Sequence, residues 1–109
     1  MDVKKIIDEI NNGKKAFFRI PLKNSEGRKS ILVIIFKVKD DMDAYWIITT
    51  DIYEHEKDMP SVDKLYSSEL EEKIEYLNKI TKESQGTISF TRFVRPGFER
   101  IINKYYDDI

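Results

Sequence analysis

One apolar run, Ser30-Ile31-Leu32-Val33-Ile34-Ile35-Phe36-Lys37-Val38, constrains the fold of this chain more than any other stretch. It is rich in β-branched residues and too short for a helix that stands alone. Asn24-Ser25-Glu26-Gly27 bounds it on one side and Asp40-Asp41-Met42-Asp43 on the other, so it reads as a strand. Side chains alternate across a strand, which sends Leu32, Ile34, Phe36 and Val38 one way and Ile31, Val33 and Ile35 the other. Both sets are apolar, so both faces want cover. The strand is therefore expected at the centre of a sheet, with helices or a partner subunit on its two sides.

The flanking sequence supplies the neighbours. Val3, Ile6, Ile7 and Ile10 make one helical stripe over residues 2–12, with Asp2 as cap and Gly13 as the left-handed stop. Residues 14–22 read as a strand with Phe18, Ile20 and Leu22 on one face. Pro21 lacks a donor, which predicts an edge position or a strand end there. After the polar turn 40–43, residues 44–53 pair antiparallel with the central run, with Trp46, Ile48, Thr50 and Ile52 on one face.

Ser61 reads as the cap of a short helical turn reaching Tyr66. Ser68-Glu69-Leu70-Glu71 matches a capping box and opens a long helix to Glu83, closed by Gly86, with Tyr66, Leu70, Ile74, Leu77 and Ile80 as its buried stripe. Residues 87–94 read as a fourth strand with Ile88 and Phe90 inward. A last helix follows Pro96-Gly97, with Phe98, Ile101, Ile102 and Tyr105 at helical spacing. The expectation is an α+β fold in one domain, residues 1–109, with order α-β-β-β-α-β-α. Its mostly antiparallel sheet has about four strands, and helices pack on it.

Composition excludes several chemistries. The chain has no cysteine, so disulfides, thiol catalysis and Cys-ligated metals are out. The lone His55 sits in Asp51-Ile52-Tyr53-Glu54-His55-Glu56-Lys57-Asp58, where consecutive side chains diverge rather than converge on a metal or substrate. An acidic loop is the plainer reading. No phosphate-binding glycine loop or nucleophile elbow is present, so neither enzymatic activity nor a cofactor is expected. No apolar run reaches transmembrane length, and the charged amphipathic start is unlike a signal peptide; a cytoplasmic protein without membrane contact is expected.

Charge is unevenly spread. Residues 1–37 hold nine Lys and Arg against four Asp and Glu, whereas residues 38–83 hold six against thirteen. The acidic positions Asp51, Glu54, Glu56, Asp58, Glu69, Glu71, Glu72 and Glu75, with Asp63, form a candidate partner-binding surface, which a solvated helix exterior would also explain. A nucleic-acid interface is the alternative. Its candidates are Arg19, Arg28 and Lys29 by the first hairpin, and Arg92, Arg95 and Arg100 interleaved with Phe93 and Phe98. The helix–strands–helix order resembles double-stranded RNA-binding domains, but their second helix starts with lysines, and here Ser68-Glu69-Leu70-Glu71-Glu72 stands in that place. Tyr45, Tyr53, Tyr76, Tyr106 and Trp46 are expected outward as interface anchors.

The N-terminal helix ending in Ile10-Asn11-Asn12-Gly13, the three antiparallel strands and the acidic segment after them resemble small phage-borne anti-CRISPR inhibitors. The resemblance covers about the first half of the chain and departs from that group in the near-neutral charge and in residues 86–109. It implies a non-enzymatic protein-binding module that blocks a nucleic-acid-processing effector by offering acidic surface to a basic cleft. A homodimer, covering the second face of the central strand, is compatible with either reading.

Overall fold

The computed structural model describes residues 2–22, 30–52 and 61–92, with the backbone alone at 50–52. The first helix, α1 (Val3–Asn11), begins where the Asp2 carboxylate accepts the Lys4 N–H at 3.1 Å. It buries Ile6 and Ile10 completely and ends at Gly13, whose φ of 89° is the left-handed conformation its sequence position predicts.

Five antiparallel strands follow the central-run expectation and extend it: β1 (Lys15–Pro21), β2 (Ser30–Lys37), β3 (Ala44–Ile52), β4 (Ser61–Tyr66) and β5 (Thr87–Thr91). Their order across the sheet is β4-β3-β2-β1-β5, which puts the apolar run at the middle. The second helix, α2 (Ser67–Glu83), joins the two edges. The element order is thus α-β-β-β-β-α-β, an α+β fold with both helices on the sheet.

Several local expectations are corrected. Residues 61–66 are a strand, not a helical turn: Val62 and Leu65 sit three apart, which suits a helix, but pairing from Ala44↔Tyr66 to Thr49↔Ser61 places them on opposite faces of the sheet. The expected capping box is absent, because α2 follows β4 without a loop and Tyr66 holds the cap position. The Ser67 N–H and hydroxyl instead both donate to the Asp43 carbonyl, at 2.8 and 3.1 Å. Tyr66 accordingly leaves the buried stripe. Pro21 ends β1 as expected, but β1 is interior, since β5 pairs with it from Lys15↔Thr91 to Arg19↔Thr87 and stops short of the proline.

The end of α2 shows a Schellman arrangement. The Gly86 N–H donates to Thr81 and the Gln85 N–H to Lys82, with Gln85 rather than glycine in the left-handed conformation, φ 58°. Gly86 is required for a different reason. A Cβ there would stand 1.9 Å from the Arg19 carbonyl oxygen, so only glycine lets the chain pass this close to β1.

The two faces of the central strand separate as the alternation predicts. Val33 and Ile35 join Phe18, Ile47, Ile6, Ile10, Ile74 and Leu77 in the main core under the helices. Leu32, Ile34, Phe36 and Ile48 form a second buried cluster, packed by Phe17, Trp46 and Val62, to which neither α1 nor α2 contributes. Ile34 is 0% exposed. The expected last helix, with Phe98, Ile101, Ile102 and Tyr105, lies outside the described residues.

Candidate functional site: a groove between the β4 edge and α2

Helical geometry turns 100° per residue, so the acidic row of α2 cannot share one face. Leu70, Ile74 and Leu77 fix the buried side. Glu69, Glu72, Lys73 and Tyr76 then fall on one flank, and with Leu65 of β4 they line an open groove of about 410 Å³. Glu71 lies across the buried stripe from that flank, and Glu75 follows one turn after it; both are exposed. The predicted surface is therefore divided, and Glu69 with Glu72 are the pair that meets an apolar floor.

The groove mixes the two ingredients that protein interfaces favour. Tyr76 is 57% exposed in the groove, whereas Tyr66, 50% exposed at the end of β4, lies with Lys64 outside it. Lys73 places its ammonium 5.8 Å from the centre of the Tyr76 ring. Asp63, outside the groove lining, is exposed and shares the helix-side face of β4 with Leu65, two residues before it. Lys64 points to the other face. It lies over Trp46 at 5.7 Å and Tyr66 at 5.8 Å, and pairs with Asp41 at 3.6 Å.

Other predicted positions fare differently. Tyr45, expected outward, is 4% exposed in the main core, and its hydroxyl donates to Asn11 Oδ1 at 2.6 Å. The reason is parity: Tyr45 shares its face of β3 with Ile47, which the helices cover. Trp46 is partly buried against the second cluster. Of the remaining acidic candidates, Asp51 is described by backbone only, opposite Ile31, and Glu54, Glu56 and Asp58 lie outside the described residues, as do His55, Tyr53 and Tyr106.

The basic alternative is not assembled by the described part of the fold. Arg19 stands opposite Thr87, whereas Arg92 follows Thr91, the partner of Lys15. The two residues thus belong to opposite ends of the β1–β5 ladder, about 17 Å of strand rise apart. Arg92 comes close to Gly13 instead. Arg28, Lys29, Arg95 and Arg100 lie outside the described residues. A row of Lys15, Phe36, Trp46 and Lys64 crosses the sheet, with Lys15 5.6 Å from the Phe36 ring centre, but Phe36 is 3% exposed and has no free face for a base. Burial there lowers the Lys15 pKa.

Comparison with protein-family models, with curated proteins and with solved structures finds no match in any of the three. Among the described residues, no helix is long and apolar enough to cross a membrane, and no group of three or more metal-binding side chains gathers.

The groove escaped sequence reading because β4 did. Read as a strand, Asp63 and Leu65 share a face and lead straight into Glu69 and Glu72. The signal was the direct step from Tyr66 to Ser67, with no glycine or proline between the elements.

Proposed function

We propose that this chain is a small non-enzymatic protein-binding module that sets the acidic groove beside α2 against a basic surface of its partner. The observation that carries this reading is the meeting of Glu69 and Glu72 with Leu65 and Tyr76 in one open groove. Exposed aromatic and aliphatic anchors supply the apolar contact, and carboxylates fixed on a helix supply the charge match and the steering. A partner that handles nucleic acid offers such a surface, because its phosphate-binding cleft is lined by Lys and Arg. Occupying that cleft would make the chain an inhibitor, the mode of action that the anti-CRISPR-type resemblance implies for a phage or mobile-element protein.

The test compares two double variants in nuclease-treated pull-downs from a bacterial host lysate. Glu69→Lys/Glu72→Lys is expected to lose the stoichiometric partner, and Glu71→Lys/Glu75→Lys to retain it. Equal recovery by both, or recovery that nuclease abolishes in the unaltered chain, would set this reading aside. Because all four residues are exposed, neither variant is expected to change stability by more than about 0.5 kcal/mol, which thermal denaturation checks.

A further inference from the structure

The groove lies beside a sheet edge, and that edge has the character of a binding element. β4 is the outermost strand on its side, and among the described residues no strand pairs with its outer edge. Ser61, Asp63, Lys64 and Tyr66 are exposed along it. Six consecutive residues pair with β3, so the backbone is held extended and its outward N–H and C=O groups are pre-arranged for another strand. From the end of β4, α2 crosses the sheet toward β5, and its flank with Glu69, Glu72 and Tyr76 stands on the β4 side.

We propose that the outer edge of β4 takes up an extended basic segment of the partner as an added antiparallel strand, with alternate Lys or Arg side chains turned toward Asp63, Glu69 and Glu72. This rests on the groove being the partner-facing surface. Backbone pairing holds the segment, and the alternation of a strand selects it: every second side chain meets the acidic groove, while those between face Val62, Lys64 and Tyr66 and are best uncharged.

A second copy of this chain suits the edge poorly. Symmetric antiparallel pairing over the full strand must centre on Asp63 or on Lys64. The first register sets Asp63 against its own copy and the second does the same with Lys64, and like charges directly opposite one another are destabilising. The edge therefore discriminates against itself and favours a strand of opposite charge on the helix side.

The experiment titrates the isotope-labelled full chain with three eight-residue peptides, followed by amide chemical shifts. One alternates lysine with threonine, the second alternates glutamate with threonine, and the third is the lysine peptide N-methylated at alternate residues on its pairing edge. Saturable shifts at residues 61–66 and 69–76 with the lysine peptide, none with the glutamate peptide, and affinity at least about tenfold weaker after N-methylation are expected. Shifts confined to α2, with equal binding of the N-methylated peptide, would overturn strand addition and leave the acidic groove standing. No shift with the lysine peptide would overturn both. Shifts at residues 61–66 that grow with protein concentration alone would replace the foreign strand by a second copy.

Discussion

β5 and β4 are the two edges of the sheet, and α2 runs from one to the other, yet they are held by different means. β5 enters through Gly86, pressed against the Arg19 carbonyl with no room for a side chain, and turns Ile88 and Phe90 onto the main core. β4 has only Val62 and Leu65 to bury, one on each face, and four of its six residues are exposed. Its lower end is pinned by Ser67 on the Asp43 carbonyl, and the rest is held by its ladder to β3. One edge strand is anchored by close backbone contact with its neighbour, the other by its ladder and a single pin. Binding elements are drawn from the less tightly packed parts of a fold, because a partner must find groups that the protein has not already used.

The sharpest way to break that contrast is at Gly86. Gly86→Ala puts a Cβ where the Arg19 carbonyl sits, so β5 must shift from β1; a loss of roughly 3 kcal/mol is expected in urea denaturation. A cost below about 1 kcal/mol would show that the β5 edge yields as readily as the other. Next come the paired truncations Phe90→Ala and Leu65→Ala. Both side chains are partly buried against the main core, and losses of about 2 and about 1 kcal/mol are expected, less than for fully buried residues. The reverse order would mean that β4 is the better-anchored edge.

The smallest effect concerns the two lysines that flank the aromatic row, Lys15 beside β5 and Lys64 on β4. Lys64 is exposed and paired with Asp41, whereas burial pushes the Lys15 pKa below its ordinary 10.5. Between that lowered value and 10.5 the unfolded chain binds more protons than the folded one, so this group's contribution makes stability rise with pH. Below the window, keeping Lys15 charged carries a constant cost. Lys15→Met is expected to remove that part of the rise, read as the difference between the two proteins' unfolding midpoints from pH 8 to 11.

Much of this architecture was legible in residues 2–52. The stripe Val3, Ile6, Ile7 and Ile10, the stop at Gly13 and the two-faced run at 30–38 each carry a period that only one element satisfies. The turn at 40–43 likewise fixes the pairing of β2 with β3, and Asp43 N–H donates to the Asp41 carboxylate as such turns do. Residues 61–66 carry no such period, and their pairing with β3 decided them. Capping followed the same course. Ser68 has the right neighbours for a capping box, yet the helix begins earlier because Ser67 finds the Asp43 carbonyl, 24 residues away in sequence.

The candidate site divides along the same line. That α2 carries an acidic exterior follows from Glu69, Glu71, Glu72 and Glu75 lying off its apolar stripe. Which of those carboxylates gain an apolar floor does not, since Leu65 reaches the groove from another element. Sequence by itself determined the elements whose own residues repeat with a period, because burying one face of a strand or helix is a local demand. Tertiary structure alone decided which strand became an edge, which tyrosine was covered and which glutamates met Leu65 and Tyr76. Those outcomes depend on what lies across the contact, and no single segment contains its own neighbour.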